Sequence, residues 1–147
     1  MDLHFFEYNE KEIFSYIAIV TRMGDGYLFS RKENETGWHI PGGMKKETET
    51  LREAAERILL EESGATAFCL EPLCAFTQEA KAGKGVLLLA DIIKSEKCSN
   101  DTLLFHTLPI RLEDAEIMNA LFDKADAVIT FRKRYGANHL SLVRSGI

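Results

Sequence analysis

Two adjacent glutamates, Glu61 and Glu62, are the residues of this 147-residue chain best suited to chemistry. Successive residues of an α-helix are turned by about 100°, so positions 58, 61 and 62 would share an arc of roughly 100°. Neighbouring carboxylates repel one another unless a cation neutralises them, and hard oxygen ligands suit Mg²⁺ or Mn²⁺. Such a metal also binds phosphate oxygens and activates a bound water. The pair could therefore form a divalent-metal site for phosphoryl chemistry, although an ordinary solvated helix end is the commoner explanation of two adjacent glutamates by themselves.

A glycine turn and a helix must position this pair. Pro41-Gly42-Gly43 is expected to interrupt regular structure, whereas the segment from Glu49 to Ser63 contains no glycine or proline. Four residues of that segment recur at steps of three and four, which is the spacing of one helical face. They are Leu51, Ala55, Ile58 and Glu62. The pattern predicts a helix over Glu49 to Ser63, with Gly64 as its C-terminal stop.

Apolar runs on both sides of this helix predict a β-sheet. Ile13 to Met23 and Tyr27 to Phe29 form a hairpin around Gly24-Asp25-Gly26, and a polar loop joins two later strands. The order of strands, helix, strands and helix suits a sheet covered by helices on both faces. The later predicted elements are strands over Ala67 to Thr77, Val86 to Ile93 and Thr102 to Pro109, and one or two helices over Arg111 to Arg134.

The composition excludes several classes of protein. The 18 basic and 23 acidic residues give a net charge of -5, which predicts no binding of duplex nucleic acid. No stretch resembles a membrane span or a signal peptide, so we expect a soluble, cytoplasmic protein of one domain, 1–147, without membrane partners. The three cysteines lack paired zinc spacing, and the four histidines are scattered singly. The apolar strands leave a homodimer open.

The glutamate pair lies in a segment that resembles the signature of the Nudix hydrolases, G-x5-E-x7-R-E-U-x-E-E-x-G-U, in which U is aliphatic. Pro41-Gly42 and Trp38 before the segment are also similar to that family. Ala65 is a weak match at the last position. Seven residues match at the required spacing, and they are Gly43, Glu49, Arg57, Leu59, Glu61, Glu62 and Gly64.

The resemblance implies a Nudix-type α/β/α sandwich with a mixed β-sheet. It also implies a Mg²⁺-dependent pyrophosphohydrolase, with Mn²⁺ as a possible substitute. The substrate would be a small nucleotide, namely a nucleoside diphosphate linked to another group, for example a nucleoside triphosphate. Carried over by position, Glu61 and Glu62 are metal ligands and catalytic residues, and the Gly42 carbonyl is a further ligand. Arg57 and Glu49 would orient the carboxylates through a salt bridge.

The chain departs from the family at Ile58, where the signature has a glutamate that serves as a metal ligand or a base. Isoleucine can do neither, and two explanations compete. In the first, a carboxylate from a later loop completes the catalytic site. The candidates are Glu79, which is favoured because it lies between strands, and Glu96, Glu113 and Glu116. In the second, the domain has lost efficient hydrolysis and binds a nucleotide or a protein partner.

Groups that could bind the substrate are fewer. Arg31 follows a predicted strand, and its guanidinium suits phosphate, although a solvated arginine at a strand end is an equal alternative. Lys81 and Lys84 lie in the glycine-containing loop AKAGKG and could close over a ligand, and Lys84 is predicted to bind substrate. Gly43, at the turn before the helix, is also predicted to contact the substrate.

Overall fold

The computed structural model describes residues 3–106 and 116–135. It contains seven strands and two helices in the described residues. Their bounds are β1 (Leu3–Phe6), β2 (Tyr16–Met23), β3 (Gly26–Arg31), β4 (Gly42–Met44), α1 (Leu51–Ser63), β5 (Ala65–Gln78), β6 (Gly85–Ser95), β7 (Asp101–Phe105) and α2 (Glu116–Tyr135). Neither helix is long and apolar enough to cross a lipid bilayer, as far as the described residues go.

The strands form one mixed sheet in the order β1-β5-β6-β2-β3-β7. Strand β2 runs parallel to β6, and the other pairs are antiparallel. One edge of β2 is shared by two partners, because β3 pairs at Arg22 and Met23 and β4 pairs at Tyr16 to Ala18. The predicted hairpin and the predicted pair of later strands are both confirmed.

The side chains of β2 alternate between two apolar cores, as strand geometry requires. Tyr16, Ala18 and Val20 lie on the α2 face of the sheet, whereas Ile17 and Ile19 lie on the α1 face. The sheet is therefore a layer between two helices, and the predicted α/β/α sandwich is confirmed. The helix residues that complete the two cores are Leu121, Phe122, Ala125 and Ile129 of α2 and Ala54, Ala55, Ile58 and Leu59 of α1.

Both ends of α1 are set by local chemistry. The hydroxyl of Thr50 accepts from the Glu53 N–H, and the Glu53 carboxylate accepts from the Thr50 N–H, which is a capping box. The helix therefore begins at Leu51, two residues later than predicted. Gly64 ends it with φ +74°, and a Cβ there would overlap the carbonyl of Glu96. The C-terminal stop was predicted correctly.

The turn before α1 differs from its prediction. Pro41-Gly42-Gly43 was expected to interrupt regular structure, but Gly42 and Gly43 form β4 together with Met44. The Pro41 carbonyl accepts from the Ile19 N–H at 2.8 Å, so the segment aligns along β2 despite its proline. A Cβ on Gly42 would lie 2.6 Å from the Ile17 carbonyl oxygen, so this close approach requires glycine.

The last predicted elements are described only in part. Strand β7 covers Asp101–Phe105, and positions 107–109 of the predicted strand lie outside the described residues. Helix α2 is a single helix within the predicted segment, and positions 111–115 of that prediction also lie outside the described residues.

Candidate active site

A salt bridge joins the loop after β4 to α1. Arg57 donates from Nε and Nη2 to the two oxygens of Glu49 at 2.6 and 2.9 Å, and Nη2 also reaches the Met44 carbonyl at 3.0 Å. Arg57 lowers the pKa of Glu49 to about 2, and a hydrogen bond from the Lys46 N–H contributes to this shift. The two residues thus fix the loop against the helix that carries Glu61 and Glu62.

Glu62 is a largely buried carboxylate at the end of this framework. Its side chain is 15% exposed, and Oε1 accepts a long hydrogen bond of 3.4 Å from the Gly42 N–H. His39 Nδ1 lies 3.7 Å from the same oxygen. Burial raises the pKa of Glu62, and the neighbouring Glu61 adds to the rise, while His39 and the Gly42 N–H act in the opposite direction. A cation here would relieve the cost of the ionised form.

The backbone of Gly42 also faces this carboxylate. Hydrogen bonds join Ile19 to Pro41 and Ser15 to Lys45 on either side of the β2–β4 pairing. Bonded positions alternate in an antiparallel pair, so the N–H and C=O of Gly42 both point away from β2, on the side of Glu62. This direction agrees with the predicted use of the Gly42 carbonyl as a ligand, which stays a prediction.

Glu61 is less constrained. Its side chain is 62% exposed, and Arg57 Nη1 lies 3.9 Å from its carboxylate. The described residues hold no cluster of three acidic, histidine or cysteine side chains that would bind a metal by themselves. Two carboxylates and one backbone carbonyl nevertheless fit Mg²⁺, which takes few protein ligands and retains waters. The donor set therefore fits the implied metal, with one carboxylate fewer than the signature provides.

Ile58 does not face the site. It is 1% exposed and packs in the α1-face core with Ile17, Ile19 and Phe14. Its Cδ1 lies 3.9 Å from the point where a Cβ of Gly43 would stand. Position 58 thus lies directly beneath the glycine turn.

A cavity of about 650 Å³ opens beside Gly42 on the α2 face. Tyr16 and Phe76 lie in its floor, with ring centroids 5.5 Å apart in an edge-to-face arrangement. His39 and Gly42 line its rim and are the residues that contact Glu62. The further lining residues are Ile17, Ala18, Ile40, Pro41, Gly43, Met44, Gln78, Lys81, Glu116, Ile117, Met118 and Leu121.

The structure brings Gly42, which lines this cavity with Gly43, next to Glu62, which does not line it, and it places three predicted site residues elsewhere. The Arg31 guanidinium stacks 4.2 Å above the Trp38 ring and reaches Asp101 at 3.3 Å. Lys84 binds the Glu12 carboxylate at 2.6 Å. Glu79 is exposed after β5 and borders a separate cavity of about 330 Å³. No contact described here supports their predicted roles, which stay predictions.

The other candidate acids differ in position. Glu116 lines the main cavity, the backbone of Glu96 packs against Gly64, and Glu113 lies outside the described residues. His39 was not predicted to belong to the site, because a single histidine carries no ligand spacing. Its only sequence signal was its place two residues before Pro41, next to the turn.

Comparison with known families matches residues 13–93 to the NUDIX domain. The chain belongs to the Nudix hydrolase family. This membership assigns the Nudix chain to the hydrolases that act on phosphoric anhydride bonds, and it confirms the resemblance of the Gly43 to Ala65 segment. No curated protein matches the chain.

Solved structures share the fold. The pyrophosphohydrolase BsRppH of Bacillus subtilis, in a mutant form, has 23% sequence identity and a TM-score of 0.68, with 85% of this chain and 90% of that chain covered. A putative Nudix hydrolase family member of Chromobacterium violaceum has 15% identity and a TM-score of 0.65, with 90% and 88% covered. A NUDIX hydrolase of Nitrosomonas europaea has 19% identity and a TM-score of 0.58, with 76% and 87% covered.

Proposed function

We propose that this Nudix domain is a Mg²⁺-dependent pyrophosphohydrolase of a nucleoside diphosphate linked to another group, with nucleoside triphosphates included. The observation that carries the proposal is the position of Glu62. Its largely buried carboxylate lies against Gly42 and His39, which both line the cavity of about 650 Å³ beside the signature turn. The name of the B. subtilis neighbour, a pyrophosphohydrolase, agrees with this reaction.

Each charged residue of the signature has a definite task in this proposal. Glu61, Glu62 and the Gly42 carbonyl would hold Mg²⁺, which when bound supplies charge stabilisation at the phosphoryl group and lowers the pKa of a bound water. Glu49 and Arg57 hold the loop so that the Gly42 backbone and the Glu62 carboxylate keep their relative positions. The cavity then receives the nucleoside, with its phosphates at the Gly43 end.

Ile58 supports a second candidate function. Its burial in the core shows that no carboxylate occupies the signature position, and loss of one general base costs about a hundredfold to ten-thousandfold in rate. A domain with this site could bind a nucleotide without efficient turnover. The two candidates share the metal and the cavity and differ only in hydrolysis.

A Mg²⁺-dependent hydrolysis screen over nucleoside triphosphates, dinucleoside polyphosphates and nucleotide sugars separates them. Release of phosphate or pyrophosphate by the natural protein, abolished by Glu62→Gln, supports the enzyme. Glu56→Gln is the matched control, because Glu56 is an exposed acid of the same helix that pairs with Arg52 at 3.3 Å. Absence of turnover by the folded natural protein on every substrate rejects the hydrolase, and nucleotide binding by the same protein then supports the second candidate.

A further inference from the structure

Ser30 of β3 is a buried serine that joins three segments around Glu62. We propose that Ser30 and Asn100 are positioning residues of the metal site: Asn100 orients the Ser30 hydroxyl, and the hydroxyl fixes the main chain of Glu62. This proposal rests on the proposed binding of Mg²⁺ by Glu62. Neither residue belongs to the Nudix signature, and Asn100 lies in the loop between β6 and β7, far from the signature in sequence.

The C-terminal end of α1 receives hydrogen bonds from two other segments of the chain. The last carbonyl groups of an α-helix have no N–H partner within the helix. The Ser30 hydroxyl donates to the Glu62 carbonyl at 2.8 Å, and the Glu96 N–H donates to the Gly64 carbonyl at 2.8 Å. The last turn of α1 carries the acidic pair and no basic residue. These donors therefore fix this end and counter the partial negative charge of its carbonyls.

The direction of each hydrogen bond follows from the groups that form it. A serine hydroxyl has one proton, and the Glu62 carbonyl can only accept it. Asn100 Nδ2 lies 2.9 Å from the oxygen of the same hydroxyl, so the amide donates to Ser30 while Ser30 donates to Glu62. An aspartate at position 100 could only accept, and it would compete with the Glu62 carbonyl for the single proton of Ser30. The amide of Asn100 thus keeps the Ser30 hydroxyl directed at Glu62.

The main chain of the same serine holds His39, which is a neighbour of the Glu62 carboxylate. The Ser30 N–H donates to the His39 carbonyl at 2.8 Å, and the His39 N–H donates to the Ser30 carbonyl at 3.0 Å, in an isolated antiparallel bridge. His39 Nδ1 in turn lies 3.7 Å from Glu62 Oε1. Ser30 therefore fixes Glu62 in two ways, because its side chain holds the main chain of Glu62 and its main chain places His39 beside the carboxylate.

A metal site with few protein ligands depends on how firmly each ligand is held. Of the two carboxylates in the proposed site, Glu61 is largely exposed, whereas Glu62 is largely buried and in contact with its neighbours. Position 58 offers no third carboxylate, because Ile58 lies in the core. A displaced Glu62 would therefore not be compensated by another signature acid. Groups that hold a metal ligand in place affect metal affinity by about 10- to 100-fold when they are removed.

Titration of the nucleotide-free protein with Mn²⁺, followed by the electron paramagnetic resonance signal of the free ion, tests the proposal without turnover. We expect Ser30→Ala and Asn100→Asp each to weaken Mn²⁺ binding by about 10- to 100-fold. Ser99→Ala, at an exposed serine of the same loop as Asn100, is the matched control and should bind Mn²⁺ as the natural protein does. Thermal denaturation of each variant confirms that it is folded before its affinity is compared.

A merely structural role of Ser30 would give a different result. Ser30→Ala would then lower the melting temperature and leave the Mn²⁺ affinity of the folded protein unchanged, which would overturn the proposal. The double variant tests whether Asn100 acts through Ser30. If it does, Ser30→Ala combined with Asn100→Asp should bind Mn²⁺ about as weakly as Ser30→Ala alone. Losses of affinity that multiply in the double variant would overturn the assignment of Asn100.

The positioning role and the proposed function fail in different ways. Weaker Mn²⁺ binding in both single variants, with no hydrolysis of any nucleotide by the natural protein, supports the positioning role and rejects the hydrolase. Hydrolysis by the natural protein that Glu62→Gln abolishes, with unchanged Mn²⁺ affinity in Ser30→Ala, supports the hydrolase and rejects the positioning role. Absence of Mn²⁺ binding by the natural protein rejects both, because both require the metal.

Discussion

The substitution Ile58→Glu, which restores the signature, should destabilise the protein strongly in the absence of metal. The isoleucine is 1% exposed, and its burial contributes about 1.5–3 kcal/mol. A carboxyl confined in the same core would have a pKa raised by about 3 units, and at 1.4 kcal/mol per unit this costs about 4 kcal/mol at neutral pH. The sum of about 5–7 kcal/mol is comparable with the whole stability of a small domain, about 5–15 kcal/mol.

Urea denaturation in EDTA measures this loss, with two controls. Ile58→Leu should cost less than about 1.5 kcal/mol, because it nearly preserves volume. The deficit of Ile58→Glu relative to Ile58→Gln should shrink as the pH falls from 7 and disappear only well below about pH 4, where the introduced carboxyl is protonated in both states. If Ile58→Glu in EDTA at pH 7 were within about 1 kcal/mol of the natural protein, the assignment of position 58 to the core would be refuted.

Three further substitutions test the site framework. In thermal denaturation at pH 7, metal-free Glu62→Gln should be as stable as the natural protein or more stable, because burial raises the pKa of Glu62. The difference in stability should vanish as the pH falls below about 4.5. A clear loss of stability at pH 7 would show that burial does not disfavour the ionised Glu62 carboxylate. Arg57→Lys should lower kcat/KM about 10- to 100-fold by breaking the fork on Glu49. The natural protein should lose stability as the pH falls from about 4.5 to about 2, because Glu49 is protonated in this range. In Arg57→Lys this loss of stability should be smaller. Gly64→Ala should lower the free energy of unfolding in urea by at least about 1–2 kcal/mol, because φ at Gly64 is +74°. Gly37→Ala is the control and should have little effect, because the added Cβ would lie in open space. Equal effects of the two substitutions would contradict the argument that alanine is strained at position 64.

The fold was largely predictable because its signals are local. The apolar, β-branched run of β2, the glycine at position 64 and the helical spacing of Leu51 to Glu62 each report the environment of a few neighbouring residues. The start of α1 was misplaced by two residues because the spacing pattern extends beyond the cap at Thr50. The short strand β4 was missed because its pairing depends on Tyr16 to Ala18 of β2, far away in the sequence.

The site was predictable only where the signature fixes it. Helical geometry correctly placed position 58 near position 62 on one face, but it could not show that this part of the face is covered by the sheet. Lys81 and Lys84 are equivalent in sequence, and their separation depends on the Glu12 carboxylate and on the turn at Gly83. Such long-range partners cannot be read from spacing.

The parallel pairing of β2 with β6 has a consequence for the synthesis of the chain. The Nudix signature is complete at Ala65, but Tyr16 acquires its β6 partner only when Gly85 has been made. Until then one edge of β2, a strand with six buried residues, has no partner strand. Non-local strand pairing of this kind forms slowly, and the apolar surface that stays exposed in the meantime can misassemble. A nascent chain interrupted before Gly85 would contain every signature residue without the sheet that holds them in place.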